Sequence, residues 1–480
     1  MGEYKLPQKG WEYQQILDAM DTYRKDDVRY RELKAWSLVY YLGEEYTHFL
    51  KNAYNLYFSE NALNPLAFKS LRRFESEVVS MTAKMLHGDE NVVGSMTSGG
   101  TESCLLPVVT YRDYWRAERN KAIQEPQMIA PSTIHVAWIK AAHYFGVKMV
   151  HVPIEDDYRA NVRAIEKKIN ENTILIVASA PNYPHGIIDP IAEIGALALK
   201  YQIPFHVDAC LGGFLLPFVE ELGYALPVFD FRVEGVTSMS ADVHKYGFAA
   251  KGASTLLYRS MDYMRHQIFV YSDWQGGIYA SSGLLGTRPG GAIAAAWAAM
   301  HAFGHQGYLE NARIIMETTR KIMDGIQSIP DLEIVGNPQS SIFAYRSKNP
   351  TLNIYAVGDQ LENKGWHVDR MQKPMALHAM VTPLHAQVAD QFLADLREAV
   401  EYVKQHPTLA LKGDAALYGM VATLPFRGLI KKNVQKMGED LFGNEVKLPG
   451  EGSTKTQIGT EKPKSGVQKF LQKIGIKKEN

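Results

Sequence analysis

A lysine beside a histidine is the first place in this sequence where chemistry is expected. His244 and Lys245 follow an apolar run that ends at Ser240, in the pattern Ser-x-x-x-His-Lys. A lysine in a site that holds little water has a lowered pKa and can form an imine with a carbonyl compound. Lys251, a little further along, is the competing candidate for this reaction. The segment therefore predicts a nucleophilic lysine, with Lys245 preferred.

A pair of glycines opens a predicted helix earlier in the chain. The segment 97–103, which contains Gly99, Gly100 and Thr101, follows the short run 91–96. Paired glycines let the backbone come close to a bound group, and the free amides at a helix start favour an anion. The segment lacks the Gly-Lys-Ser/Thr of a P-loop and the spaced glycines of a dinucleotide site. It indicates a phosphate site, although by itself a capped turn is an equally good interpretation.

Asp208 lies at the end of an apolar run, 203–208, that predicts a strand. Ligands of open α/β sheets bind at the carboxyl ends of strands, and an aspartate there can keep a pyridinium nitrogen protonated. A structural hydrogen-bond acceptor is the alternative role. His135, also after a strand end, can stack on a cofactor ring, with a core histidine as its alternative. Together with the phosphate site, these residues predict pyridoxal 5'-phosphate (PLP) bound to Lys245 as a Schiff base.

Short apolar strands alternate with helices through the first part of the chain. Strands are predicted at 127–130, 148–153, 173–180, 203–208, 235–240 and 254–258, and helices at 101–119, 161–170 and 191–201. Nearly continuous apolar strands are typical of a sheet covered on both faces. The alternation with helices predicts an α/β fold with a large, mainly parallel sheet.

The pattern changes after Gly304. An alanine-rich buried helix over 290–304 is followed by a predicted charged helix over 306–328, strands at 332–335, 341–345 and 376–381, and a helix over 387–405. These predict a smaller C-terminal α+β domain. We expect an N-terminal segment, a large PLP-binding domain, the small domain and a lysine-rich flexible tail, at 1–60, 61–305, 306–430 and 431–480. The tail could form a basic amphipathic helix over 467–476 that contacts an acidic surface.

Composition limits the classes of function. Lysine plus arginine and aspartate plus glutamate number 52 each, so the net charge gives no reason to expect nucleic-acid binding. The 2 cysteines exclude a disulfide scaffold and favour a reducing compartment. No signal peptide is predicted, and the run 290–304 is shorter than the about 20 apolar residues of a membrane span. We expect a cytoplasmic protein with no transmembrane segment and no metal site, for which peripheral membrane contact or secretion to a host stays possible.

The same residues resemble a known family. The segments 97–103 and 206–210 and the pair His244-Lys245 resemble the group II PLP-dependent decarboxylase superfamily. Longer runs such as 182–190 and 273–280 are similar to the sphingosine-1-phosphate lyases within it. The resemblance implies the fold of type I PLP-dependent transferases and a homodimer with active sites at its interface. The implied reaction is retro-aldol cleavage of sphingosine 1-phosphate, or another phosphorylated long-chain base, to a long-chain aldehyde and phosphoethanolamine.

The resemblance also implies roles for single residues. Lys245 is the imine lysine, Asp208 the partner of the pyridine nitrogen, and His135 the stacking residue. The other predicted cofactor-binding residues are Gly99, Gly100, Thr101, Ser240, His244 and Cys210.

Substrate-side residues follow from the same resemblance. Tyr40, Asn64 and Lys251 match positions that line the substrate phosphate and the reaction site, and Tyr183 matches one that assists proton movement. Arg288 either contacts a phosphate or braces its loop. A general base must reach the C3 hydroxyl, and Tyr40, Tyr183 and the released Lys245 are the candidates. Asn64 stands where eukaryotic members have histidine, and Tyr183 where some members have phenylalanine.

Two other functions stay open on sequence alone. The first is a glutamate-type or aromatic-type amino-acid decarboxylase on the same fold, whose site must hold an α-carboxylate; Lys251 and Tyr40 favour the lyase instead. The second is a non-catalytic protein that uses its tail to reach a membrane or a partner. The intact pair of Lys245 and Asp208 argues against it.

Overall fold

The structure is a computed structural model that describes residues 6–118 and 125–423, with 428, 431–432, 435–436 and 438–439. Apart from those few positions, the predicted flexible tail 431–480 lies outside the described residues. The predicted amphipathic helix over 467–476 lies entirely outside them.

Helices and strands alternate along the described part of the chain. The helices are α1 (Tyr13–Tyr23), α2 (Glu44–Asn55), α3 (Lys69–Met85), α4 (Gly100–Glu118), α5 (Val136–Phe145), α6 (Val162–Lys168), α7 (Ile191–Tyr201), α8 (Leu216–Glu221), α9 (Met261–Met264), α10 (Gly290–Gln327), α11 (Ile354–Asn363), α12 (Ala389–Gln405) and α13 (Gly413–Thr423). The strands are β1 (Val93–Thr97), β2 (Gln127–Pro131), β3 (Lys148–Val152), β4 (Thr173–Ser179), β5 (Phe205–Asp208), β6 (Ser238–Ala241), β7 (Ser254–Tyr258), β8 (Phe269–Trp274), β9 (Gly277–Ser281), β10 (Leu332–Ile334), β11 (Ile342–Ser347), β12 (Asp369–Gln372) and β13 (Met375–Met380).

The large sheet has seven strands in the order β1-β7-β6-β5-β4-β2-β3. Strands β2 to β6 pair in parallel, whereas β7 runs antiparallel to both β1 and β6. Every residue of β2, β4, β5, β6 and β7 is buried, because helices cover both faces. The predicted mainly parallel α/β sheet is confirmed, and its parallel strands end on one common edge.

The second sheet is antiparallel, in the order β10-β11-β13-β12. It packs with α11 and α12 around a separate core that contains Phe343, Trp366 and Phe392. Trp36, from the N-terminal part of the chain, is fully buried in this core as well. The segment around Trp36 therefore packs into the core of the second sheet, although it precedes the large sheet in sequence.

The helix α10 and the hairpin β8–β9 differ from the sequence prediction. The two helices predicted around Gly304 are parts of α10, which is interrupted where Gly304 takes φ +54° and ψ −171°. The hairpin β8–β9 was not predicted, because its apolar residues are exposed and do not show the buried pattern of the other strands. No helix among the described residues is long and apolar enough to cross a bilayer.

Candidate active site

A cavity of about 310 Å³ lies where β5 and β6 end, the start of α4 faces them, and the second sheet closes the opposite side. Most of the predicted site residues line it: Tyr40, Gly100, Thr101, His135, Tyr183, Asp208, Cys210, His244, Lys245 and Lys251. The sequence motifs, separated by up to about 200 positions, thus meet in one place because the parallel strands end on the same edge.

Asp208 is fixed at the bottom of the cavity. The indole N–H of Trp138 donates to Oδ2 of Asp208 at 2.8 Å, and the backbone N–H of Cys210 donates to Oδ1 at 3.2 Å. Burial raises the pKa of this carboxyl, but the Trp138 hydrogen bond and the nearby His135 outweigh it, so the pKa lies below its usual value. The carboxylate is therefore ionised and can accept a hydrogen bond from a protonated pyridine nitrogen.

Lys245 forms an ion pair with a buried carboxylate. Its Nζ lies 2.9 Å from Oδ2 of Asp242. Burial lowers the pKa of Lys245, yet the negative charge of Asp242, with contributions from Cys210 and Tyr40, outweighs it and raises the pKa well above its ordinary value. The expected lowered pKa of Lys245 is thus wrong for the protein without its cofactor, since the sequence pattern gave no weight to the neighbouring Asp242.

Lys251 has the lowered pKa instead. Its Nζ lies 5.0 Å from the centre of the Tyr40 ring. Burial, and then the positive charge of Lys245, lower the pKa of Lys251 to about 8. Lys245 and Lys251 both line the cavity. The cavity therefore contains two amines, one with a raised pKa and one with a lowered pKa.

The start of α4 forms a close-fitting concave surface. Gly99 has φ +145°, which L side chains rarely adopt. A Cβ on Gly100 would lie 2.5 Å from Oδ2 of Asp242, and one on Gly99 would lie 3.4 Å from Cε1 of His244. Only glycines leave this backbone accessible, and the helix start with the Thr101 hydroxyl suits a phosphate. Together with the ionised Asp208, this arrangement fits PLP.

Ser240 and Cys210 support Asp208 from behind. The Ser240 hydroxyl lies 3.2 Å from Nε2 of His206, 3.3 Å from Sγ of Cys210 and 3.5 Å from Oδ1 of Asp208. Burial lowers the pKa of His206 to about 3, so its ring is neutral. Ser240 is therefore placed to orient Asp208, while Cys210 reaches the cavity wall.

Aromatic residues form the sides of the cavity. His135 caps α5, and its Nδ1 accepts the backbone N–H of Ala137 at 3.2 Å. Burial lowers the pKa of His135, which favours a neutral ring suited to stacking. The Tyr40 hydroxyl donates to Sδ of Met380 at 3.6 Å, and that of Tyr183 donates to Oδ2 of Asp369 at 3.2 Å.

Two predicted substrate residues lie outside this cavity. Asn64 is exposed, and its Oδ1 accepts the backbone N–H groups of Leu66 and Ala67. The guanidinium of Arg288 contacts Glu75 at 2.7 Å and 3.1 Å and donates to a backbone carbonyl. This pairing favours the second interpretation of Arg288, a brace for its loop.

Sequence reasoning missed three residues that contact the predicted site residues. Trp138 donates to Asp208, Asp369 accepts from Tyr183, and Asp242 pairs with Lys245. Asp242 and Asp369 also line the cavity. Trp138 follows His135 by three positions, a spacing that places both near one turn of a helix start. Asp369 gave no local signal, because it comes from the second sheet.

Comparison with known proteins supports the chemical interpretation of the site. Residues 50–348 match the family model described as the pyridoxal-dependent decarboxylase conserved domain. The fold and the site therefore define a PLP-dependent enzyme of the decarboxylase type.

Comparison with individual proteins identifies the family within this class of PLP-dependent enzymes. The sphingosine-1-phosphate lyase of Arabidopsis thaliana is 46% identical over 435 residues, which are 89% of this chain and 79% of that protein. The structure of a sphingosine-1-phosphate lyase from Burkholderia pseudomallei is 36% identical, with a TM-score of 0.83 over 92% of this chain and 97% of that one. The chain therefore belongs to the sphingosine-1-phosphate lyase family. A glutamate decarboxylase from Lactobacillus brevis, with a TM-score of 0.75 but 22% identity over 84% of this chain and 96% of that one, shares the fold alone.

Proposed function

We propose that this protein cleaves the C2–C3 bond of sphingosine 1-phosphate and related phosphorylated long-chain bases, releasing a long-chain aldehyde and phosphoethanolamine. The observation that carries the proposal is that Lys245, Asp208 and the glycine-lined start of α4 meet in one cavity with a second amine, Lys251. A decarboxylase has to bind an α-carboxylate, whereas the lyase has to bind a second phosphate besides that of PLP. Lys251 is the cationic group that is left for this phosphate when Lys245 holds the cofactor.

The cofactor side of the cavity is assigned first. Lys245 would hold PLP, and Asp208 would accept a hydrogen bond from its ring nitrogen. Gly99, Gly100, Thr101 and His244 would hold its phosphate, and His135 would stack on its ring. When bound, PLP supplies an electron sink for carbon–carbon cleavage.

Other residues that line the same cavity are proposed to bind the substrate. Lys251, with a pKa of about 8, is mostly an ammonium at neutral pH and binds the substrate phosphate. Tyr40 and Tyr183 flank the reacting carbons, and both have a raised pKa because they are buried. They are therefore neutral phenols. A neutral phenol can accept a proton only while it donates its own hydroxyl proton to another group.

We propose a homodimer as the working unit. The hairpin β8–β9 exposes large apolar side chains, among them Phe269, Trp274 and Ile278. An exposed apolar surface of this kind is typical of a subunit interface. Light scattering on the purified protein tests this: the double variant Trp274→Ser, Ile278→Ser is expected to lose the dimer mass, and a monomeric wild type would refute it.

A cytoplasmic location is proposed as well. Both cysteines are buried and free. Free thiols suit a reducing compartment. Fractionation of cells that produce the full chain tests this, and recovery in the medium or the membrane pellet would contradict it.

The reaction itself is tested by mass spectrometry of the products from a long-chain base phosphate. Equal amounts of aldehyde and phosphoethanolamine are expected from the wild type and none from Lys245→Ala. The surface variant Lys200→Ala, whose ion pair with Glu166 is exposed, is the matched control and should stay active. Release of CO₂ from glutamate or aromatic amino acids, with no aldehyde from the long-chain base phosphate, would contradict the lyase activity and show an amino-acid decarboxylase instead.

A further inference from the structure

Asp369 is a residue of the cavity wall to which the sequence assigns no role. It begins β12 in the second sheet and lines the cavity. Its Oδ2 accepts the hydroxyl hydrogen of Tyr183 at 3.2 Å. Since Tyr183 follows β4 of the large sheet, the pair joins the two sheets at the cavity itself.

Tyr183 has little freedom to turn its hydroxyl away from Asp369. Its ring stacks on that of His378, with 4.4 Å between the centres and 27° between the planes. Nε2 of His378 donates to the backbone carbonyl of Tyr183 at 2.8 Å. His378 also lies directly opposite Asp369 in the β12–β13 ladder. One strand pair therefore positions both the ring of Tyr183 and the carboxylate that its hydroxyl meets.

The direction of the hydrogen bond decides what Tyr183 offers to a substrate. Burial, and then the negative charge of Asp369, raise the pKa of Tyr183, so it is a neutral phenol. The Tyr183 hydroxyl donates to a carboxylate oxygen of Asp369. The phenol proton is thus directed at Asp369, and the lone pairs of Oη are free for a donor in the cavity.

The other cavity tyrosine differs in this respect. The Tyr40 hydroxyl donates to Sδ of Met380 at 3.6 Å, and a thioether is a weak acceptor that cannot take up a proton at neutral pH. Tyr183, in contrast, donates to a group that can be protonated.

We propose that Asp369 is a positioning residue that makes Tyr183 the acceptor of the C3 hydroxyl proton, an inference that rests on the cleavage reaction proposed above. The substrate proton moves to Oη of Tyr183 while the phenol proton moves to Oδ2 of Asp369. The O–H electron pair forms the carbonyl of the aldehyde, and the C2–C3 pair stays on C2. Tyr183 is neutral before and after the transfer, so no phenolate forms in the buried site.

Asp369 is also placed to release the proton. Its side chain is 31% exposed, and Nε2 of His367 lies 3.8 Å from its Oδ1. The transferred proton therefore has a route from the cavity through Asp369 to solvent.

A double-mutant cycle on the PLP-loaded enzyme tests this inference. The variants are Asp369→Asn, Tyr183→Phe and the two combined, with kcat and KM measured for a long-chain base phosphate. Asp369→Glu is the conservative variant. Glu333→Gln, whose half-buried ion pair with Arg346 lies in the same sheet, is the matched control.

General acid–base groups contribute about 10² to 10⁴-fold to rate, so we expect Tyr183→Phe to lower kcat by about 100-fold and Asp369→Asn by about 10-fold. KM should change little in both. In the Tyr183→Phe background, Asp369→Asn should have no further effect on kcat, and Asp369→Glu should restore most of the activity of the wild type. The control should match the wild type.

Three results would overturn the inference. An equal loss from Asp369→Asn with and without the Tyr183 hydroxyl would show a structural role only. A rise in KM with kcat unchanged would show a binding role. If the wild type releases no aldehyde, both the proposed function and this inference are wrong. If the wild type and Asp369→Asn are equally active, only the inference is wrong.

Discussion

Lys251 predicts the alkaline side of the pH profile. Burial and the charge of the nearby Lys245 lower the pKa of Lys251 to about 8 in the protein without PLP, and burial, the larger of the two causes, remains when Lys245 holds the cofactor. If its ammonium binds the substrate phosphate, kcat/KM must fall as the pH rises through that value, because the neutral amine no longer attracts an anion. The ammonium fraction is about one half at pH 8 and about one tenth at pH 9, so kcat/KM should fall by about tenfold for each further pH unit.

The variant Lys251→Arg separates this charge from other ionisations. A guanidinium stays protonated throughout the range, so the alkaline decrease assigned to Lys251 should disappear, even if the altered shape lowers the maximum. The assay is aldehyde release at low substrate between about pH 6.5 and 9.5, since kcat/KM reports the free enzyme. At saturating substrate the bound phosphate keeps Lys251 protonated. The kcat of the wild type should therefore not show the same decrease at alkaline pH.

The substrate amine also ionises in this range, but it does so for both enzymes. Only the difference between the two profiles, each scaled to its own maximum, is informative. Lys200→Arg, at an exposed ion pair, should retain the wild-type profile. An identical alkaline limb in the wild type and in Lys251→Arg would refute the assignment of the substrate phosphate to Lys251.

Two further variants test the cofactor side. Trp138→Phe removes a hydrogen bond to an ionised group, which contributes about 1.5–3 kcal/mol, so the free energy of unfolding should fall by about that amount at pH 7. The pKa of Asp208 is lower in the folded protein, so its stabilisation is present above the unfolded pKa and is lost as the pH falls through the folded pKa. The difference in the free energy of unfolding between the wild type and Trp138→Phe, measured with urea, should therefore shrink in acid. A difference that does not depend on pH would contradict this. Gly100→Ala places a Cβ 2.5 Å from Asp242 and should weaken PLP binding, measured by fluorescence titration, and lower the free energy of unfolding by about 1–3 kcal/mol. Gly10→Ala, which meets no atom within 4 Å, is the control, and equal PLP affinity in both variants would refute the close fit.

The site residues that lie next to a strand in the sequence could be predicted from sequence alone. Asp208 ends β5, Lys245 follows β6 and the Gly99–Gly100 pair follows β1, so each motif is adjacent in sequence to the strand that positions it. The parallel sheet then brings their ends together without further information. For the same reason the predicted strands of the large sheet agree with the structure to within about three residues.

The rest depends on contacts between distant elements. Asp369 reaches Tyr183 from the second sheet, and β12 is a short polar strand with no recognisable pattern. The raised pKa of Lys245 depends on the distance of its amine from Asp242, which the motif alone does not give. Arg288 could be read as a phosphate ligand or a brace, and only the bidentate contact with Glu75 favours the brace.

The central claim is that PLP is bound through the side chain of Lys245. Borohydride reduction of the PLP-loaded protein makes that attachment permanent, and peptide mapping by mass spectrometry locates it. We predict a single modified peptide that carries the cofactor mass on Lys245. Modification of Lys251 instead, or of no lysine at all, would contradict the account.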